Sequence, residues 1–481
     1  MNICLLNDSF PPVIDGVANV VMNYGRILSG DPGTHVLVGT PAYPGTNYDG
    51  YSYQVVAYPS FDTTEIVSGY LTGNPLAVRE IDKMAAFGPD IIHTHCPASS
   101  TIMARILQNE TGAPVIFTYH TKFDVDITRA VGEGFLKRET LKAMVSNISA
   151  CDEVWVVSGG AGENLRSLGY EGDYRVMNNG VDFPKGRAAE ELVREVTKGY
   201  DLPEDVPVFL FVGRIIRYKG LPLILDALTK LSEEGIDYRM VFVGGGPDEE
   251  MLKEMAQKAG IGDRVIFTGP ERDRERLRAW NTRADLFLFP STYDTNGIVV
   301  REAAACGLGS VLVKGSCAAE GITDGRNGFL IEETAESMAA LLKEVSGQRD
   351  KMKDVGQHAM DEIYISWDDS VAAAYERYSE IRDLVAEGKI VRRKPHGSDI
   401  LLKSASTLAM ETMHLFDIPR NIYGGMRENL EEDFDEFKEE LRDNLEEMRD
   451  RLPDSVKEFS DNAKAFGDKT KEEIRKRIEQ L

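Results

Sequence analysis

The stretch LFLFPSTYDTNGIVVREAAACG, residues 286–307, decides how the rest of the chain is read. It opens with four apolar residues closed by Pro290, the length and punctuation of a buried strand. Turn-forming residues follow as far as Gly297. From Ile298 the pattern is that of a helix, ended by Gly307. A strand, a short loop and an immediate helix form the repeating unit of a parallel α/β sheet. The loop then lies at the carboxyl end of a strand, where such sheets bind ligands.

The same unit recurs on both sides. PVFLFVG (207–213), RMVFVG (239–244), RVIFTG (264–269), SVLV (310–313) and GFLI (328–331) complete one set of strands. NICLLN (2–7), HVLVG (35–39), DIIHTH (90–95), PVIFTY (114–119), EVWVV (153–157) and YRVMN (174–178) form an earlier set. Runs this apolar, separated by helix-length segments, imply parallel strands covered on both faces. The polar stretch ending in DLPEDVP (201–207) punctuates the chain between the two sets. The expected architecture is α/β, with two Rossmann-like doubly wound domains facing across a cleft. Residues 1–185 form the first domain, 186–206 a linker and 207–365 the second. A helix over 366–390 crosses back to the first domain, and 391–481 is a helical, acidic amphipathic extension. In that extension VRRKP (391–395) is a basic cluster and 400–416 is apolar and Met-rich. Met426, Leu430, Phe434, Phe437, Leu441, Leu445, Met448 and Leu452 then make one helical stripe.

Composition narrows the function. At 481 residues the chain is long enough for two domains, and 42% hydrophobic with 28% charged residues is an ordinary globular mix. A net charge of −24 excludes broad nucleic-acid binding. No apolar run approaches the roughly 20 residues needed to span a bilayer. MNICLLNDSF has no basic leader and reads as a strand, so the expected compartment is the cytoplasm. The five cysteines, at 4, 96, 151, 306 and 317, lack metal or disulfide spacing and are expected as buried free thiols.

Four loops carry candidate chemistry. Asp15-Gly16-Val17 sits between a strand and a helix, where Gly16 lets backbone approach an anionic ligand. Arg214, Arg217 and Lys219 lie in VGRIIRYKG directly after a strand, placed to neutralise a diphosphate at about 1.5–3 kcal/mol per charge-assisted hydrogen bond. Gly244-Gly245-Gly246-Pro247 either admits a substrate to the backbone or makes an ordinary turn. In the opening stretch, the amides of Gly297, Ile298 and Val299 begin a helix and suit phosphate or sugar oxygens. Asp294 and Glu302, with seven residues between them, are acceptors for hydroxyls, one for a hexose and one for a ribose.

These segments together resemble the family 4 glycosyltransferases of GT-B fold, whose signature is an acid, seven residues and a Glu. VGRIIRYKG is similar to the family's phosphate-binding loop, NNGVDF (178–183) to its interdomain turn and FVGGGPDEEML to its second glycine loop. GITDGRNGFLI is similar to the segment closing its C-terminal sheet, and ISWDDSVAAAYERYSEI (365–381) to its returning helix. The resemblance covers nearly all of residues 1–390. It implies that Glu302 holds the ribose, that Arg214 and Lys219 take the diphosphate and that Gly16 touches its distal phosphate. His120, in Thr-Tyr-His-Thr, matches the family's histidine beside the transferred hexose. Asp294 stands where the family more often has Glu, and Asn296 replaces its usual Phe, adding a sugar contact.

The resemblance thus implies a retaining hexosyltransferase that uses a nucleotide-sugar donor, UDP-sugars first, with no cofactor and no metal. His93 and His95 share a strand face, and Asp124-Val-Asp126 looks like a metal-binding acid pair, but Arg214 and Lys219 take the metal's role. THTHCP and TYHTKFDVDI resemble the diacylglycerol glucosyltransferase branch. The acceptor is therefore a membrane lipid, with the protein peripheral at the inner membrane face, or else a soluble sugar or polysaccharide. The acidic helix suits a protein partner or self-association. An epimerase-like enzyme and a non-catalytic scaffold of the same fold are the other classes.

Overall fold

The computed structural model describes residues 1–13, 15–62, 71–124, 127–128 and 133–389. The expected extension, with its basic cluster, Met-rich helix and acidic stripe, lies outside these residues, as does Asp126.

Two parallel sheets organise the chain. The first orders its strands β3-β2-β1-β6-β7-β8-β9: Gln54–Tyr58, His35–Pro41, Asn2–Leu6, Ile91–Thr94, Val115–Tyr119, Glu153–Val156 and Arg175–Val176. The second orders them β12-β11-β10-β13-β14-β15: Val265–Gly269, Arg239–Val243, Val208–Val212, Leu286–Phe289, Ser310–Val313 and Phe329–Ile331. The pairings within both are parallel. Each sheet starts in its middle, winds to one edge, then returns to wind the other way. The reversal leaves a crevice between β1 and β6 in one sheet and between β10 and β13 in the other. Together they make the GT-B arrangement of two Rossmann-like domains.

Strand side chains alternate between two packed layers, as a period of two requires. Ile3 and Leu5 enter one core cluster while Cys4 and Leu6 enter another across the sheet. The helix Trp367–Ala386 covers the first of these faces. Its buried residues Trp367, Val371, Ala374, Tyr378 and Ile381 fall four and three apart, one stripe of a helix. Each large apolar side chain so buried stabilises the fold by about 1.5–3 kcal/mol. Tyr378 stacks on Trp155 of β8 at 5.3 Å between ring centroids.

Some details differ from expectation. Gln54–Tyr58 and the hairpin of β4 (Ser60–Asp62) and β5 (Leu71–Gly73) are strands that the apolar runs did not mark. The stretch 186–206 carries the helix Glu190–Val196, and Ala188 and Val196 are buried in the second core. Four of the free cysteines are buried as expected; Cys96 is half-buried and donates to Asn7 Oδ1 at 3.1 Å.

Candidate active site

The crevice between β10 and β13 explains which loops meet. The loop after β10 carries Arg214 and Lys219, and the loop after β13 carries Asp294. Because the two strands are neighbours, Lys219 Nζ reaches Asp294 Oδ1 at 2.9 Å. Ser291 Oγ donates to the other carboxylate oxygen at 2.5 Å, and Lys219 also lies over the Phe289 ring. Arg214 is exposed. Arg217 has other partners: its backbone N–H donates to Asp248 Oδ2 at 2.7 Å, and the residue lines an open hollow with Tyr218 and Pro247.

The glycine loop after β11 supports the cationic loop from below. Ile215 N–H donates to Gly245 O at 3.0 Å. A Cβ on Gly244, at φ +147°, would fall 1.9 Å from Gly213 O, and one on Gly246 would fall 2.2 Å from Ile215 O. Packing alone thus requires glycine at 244 and 246. Gly245 has ordinary van der Waals room, its nearest neighbour being Pro270 at 3.5 Å.

The loop 291–297 also touches the first domain. Lys122 Nζ donates to Thr292 O at 3.2 Å, Thr295 Oγ1 to the main-chain oxygen of His120 at 2.6 Å, and Ser158 Oγ to Thr295 O at 2.5 Å. Glu320 reaches across as well, accepting the N–H groups of Gly159 at 2.8 Å and Gly160 at 2.5 Å. Gly297 turns left-handed at φ +56° and starts the helix Ile298–Ala305. As in any helix, its first N–H groups, those of Ile298 and Val299 among them, have no partner within it. Asn296 Oδ1 accepts from Arg301 Nη1 at 2.9 Å, and the same nitrogen lies 3.3 Å from Asn179 O.

Glu302 is buried and meets a residue that sequence reading missed. Arg274 Nη2 lies 2.5 Å from Glu302 Oε1 and 3.7 Å from Asp182 Oδ2, and its guanidinium covers the Phe183 ring. Burial raises the Glu302 carboxyl above the usual carboxylate range, and Arg274 pulls it back down. Arg274 sits in ERDRER (271–276), a charged run in which no single arginine stands out.

On the first sheet, Asp15 Oδ1 accepts Ala18 N–H at 2.7 Å and caps the helix Gly16–Leu28. A Cβ on Gly16 would meet nothing within 4 Å. His120 follows β7 and is 6% exposed; its Nε2 lies 2.9 Å from His95 Nδ1. His93 is bonded to Tyr378 Oη at 2.5 Å and to Thr118 Oγ1 at 2.7 Å. Asp124 Oδ1 is buried without a partner among the described residues.

Comparison with known proteins bears on this arrangement. Residues 193–361 match the model of glycosyl transferases group 1, and residues 14–184 match that of glycosyltransferase family 4. The chain is 30% identical over 316 residues to the D-inositol 3-phosphate glycosyltransferase 2 of Catenulispora acidiphila, covering 62% of this chain and 72% of that protein. It is 26% identical over 313 residues to the alpha-monoglucosyldiacylglycerol synthase of Streptococcus pneumoniae, covering 64% and 70%. The crystal structure of Anabaena HepE in complex with UDP shares its fold, with a TM-score of 0.64 at 18% identity over 79% of this chain and 100% of that one. With two facing Rossmann-like domains and both family models matched in order, the chain belongs to the group 1, family 4-like glycosyltransferases of GT-B fold and is a hexosyltransferase.

Proposed function

We propose that the chain moves a hexosyl group from a nucleoside-diphosphate sugar, a UDP-sugar first, to an acceptor hydroxyl with retention at the anomeric carbon. The observation that carries this reading is the meeting of Lys219 with Asp294 at the crevice of the second sheet. It sets a cation suited to a leaving diphosphate beside an acid suited to sugar hydroxyls. Arg214, Lys219 and the amides at Gly297–Val299 (297–299) stand ready for the charge that builds on the distal phosphate. Glu302 accepts the ribose hydroxyls, while His120, Asn296 and Asp294 surround the hexose. Gly16 brings the first domain's helix N-terminus to the distal phosphate, and Gly244 and Gly245 let the second domain's backbone lie close to the donor.

In the proposed step the bond from the anomeric carbon to the phosphate oxygen breaks and the bond to the acceptor oxygen forms on the same face. The acceptor's proton passes to the departing phosphate oxygen, so no enzyme nucleophile is needed. The two cations do what a divalent ion does elsewhere, which makes the transfer metal-independent.

A membrane lipid such as diacylglycerol is the proposed acceptor, with the protein peripheral at the inner membrane face. The relative named as a monoglucosyldiacylglycerol synthase supports this acceptor. Among the described residues no helix is long and apolar enough to cross a membrane. A soluble phosphorylated polyol is the second reading, supported by the inositol 3-phosphate relative. A screen of nucleoside-diphosphate sugars, read by nucleoside-diphosphate release with and without diacylglycerol vesicles, separates the two. Vesicle-dependent release is expected; release with soluble acceptor alone would sink the lipid reading.

A further inference from the structure

Three histidines line the carboxyl ends of β6 and β7, and one hydrogen bond among them has a chemical consequence. His95 and His120 meet through His95 Nδ1 and His120 Nε2 at 2.9 Å. Their rings are inclined by only 24°, with centroids 5.2 Å apart. That separation is what two five-membered rings give when they meet edge to edge along a hydrogen bond, so the contact is a well-aligned N–H···N bond. We propose that His95 sets the tautomer of His120, so that His120 offers its Nδ1–H as a hydrogen-bond donor to an oxygen of the hexosyl group. This rests on the reading of His120 as a site residue.

Both rings are neutral. Burial drives His95 well below the ordinary imidazole range, with His93 and His120 adding to the effect, and brings His120 to about 3. Each ring therefore carries one proton, and only one proton lies between the two facing nitrogens. If His120 supplied it, the proton of His95 would sit on Nε2. That atom is buried and has no partner among the described residues. The His95 ring lies among aromatic rings, its centroid 4.1 Å from that of His93 and 5.9 Å from that of Tyr24. A buried N–H with no acceptor is the rarer of the two kinds of orphaned group. If His95 supplies the proton, its Nε2 keeps only a lone pair, and the proton of His120 falls on Nδ1. The hydrogen bond made by one nitrogen thus decides what the other presents.

The surroundings favour Nδ1 of His120 as the ligand-facing edge. His93 and His95 are 0% and 1% exposed, so His120, at 6%, reaches nearest the surface. Its main-chain oxygen is held by Thr295 Oγ1, beside Asp294, the acid assigned to the same hexose. His95 is accordingly a positioning residue that acts through His120. His93, bonded at both nitrogens to hydroxyls, holds no such position.

The tautomer can be read in the full-length protein labelled with ¹⁵N-histidine, by long-range proton–nitrogen correlation. The His120 signals are identified by their loss in His120→Gln. The expected result is Nδ1–H in the wild type and a move toward Nε2–H in His95→Leu; Nε2–H in the wild type overturns the proposal. Kinetics add a second reading with a UDP-sugar donor. His95→Leu should raise the donor KM about ten-fold, the scale of one neutral hydrogen bond. His95→Asn, whose amide N–H can donate to His120 Nε2, should recover most of that loss. Equal losses in the two variants, with equal thermal stability, also overturn the proposal. A His120→Gln enzyme with wild-type KM and kcat would instead remove His120 from the site, a failure of the underlying reading that the wild-type tautomer does not touch.

Discussion

Lys219 Nζ and Asp294 Oδ1 lie 2.9 Å apart, joining the loops that leave β10 and β13. Neither side chain is free in water, since they are 14% and 25% exposed. The cation assigned to the diphosphate is held by the acid assigned to the sugar. A donor that claims Lys219 must share it with Asp294, and the two residues should respond differently to neutralisation. Lys219→Met should weaken nucleoside-diphosphate binding by about 10- to 100-fold, the worth of one or two charge-assisted hydrogen bonds. Asp294→Asn should leave that binding within about three-fold or tighten it, because a competitor for Lys219 is gone. Transfer should fall in both. Calorimetric titration with UDP checks this, and equal weakening in the two variants would show that the pair acts only as a unit.

Glu302 and Arg274 predict a pH dependence. Burial raises the Glu302 carboxyl, and the Arg274 guanidinium 2.5 Å away works against it. A carboxyl with a raised folded pKa holds its proton more tightly folded than unfolded. Its ionisation therefore costs stability, fully above the folded pKa and not at all below the unfolded one. Arg274→Gln removes the lowering influence and moves the folded pKa further up. Binding of ribose hydroxyls needs the ionised, acceptor-only form. The acidic limb of kcat/KM for the donor should then shift to higher pH, with the loss greatest on that limb and smaller on its alkaline side. A loss equal at every pH would assign Arg274 to packing on Phe183 instead. The Arg274 side chain is 43% exposed, so solvent screening keeps the effect on overall stability modest.

Such pairings mark the limit of what was legible in the residues alone. Apart from Gln54–Tyr58, each strand of the two sheets overlaps a short apolar run, so periodicity and punctuation revealed it. Lys219 and Asp294 each follow a strand, and adjacency of β10 and β13 at the reversal point is a rule of the fold. Arg274 obeys no such rule. It reaches Glu302 across 28 positions from a helix whose arginines are alike in sequence. His95 and His120 illustrate the intermediate case: both end neighbouring strands, but only coordinates reveal which ring nitrogens meet. In the stretch 186–206 charged residues outnumber the buried Ala188 and Val196, so the helix Glu190–Val196 was not legible there.

Gly16 and Gly244 separate folding from function. Both are glycines at a strand-to-helix loop, and both were assigned to the donor. At Gly244 an added Cβ meets the Gly213 carbonyl at 1.9 Å with φ at +147°, so the backbone itself forbids a side chain. Gly244→Ala should therefore destabilise the second domain by about 2–4 kcal/mol, through strain and lost loop packing. At Gly16 an added Cβ meets nothing within 4 Å, and the residue begins a helix already capped by Asp15. Alanine there should leave stability unchanged or raise it by about 0.4–1 kcal/mol, because the unfolded chain loses freedom. Nothing among the described residues requires glycine at 16, which points to a ligand approaching the helix N-terminus. Gly16→Ala should thus keep its melting temperature while its donor KM rises, and Gly16→Val should raise it further. Thermal melts and donor kinetics on the same preparations decide the matter: wild-type kinetics in Gly16→Val would remove this loop from the donor site and leave its glycine unexplained.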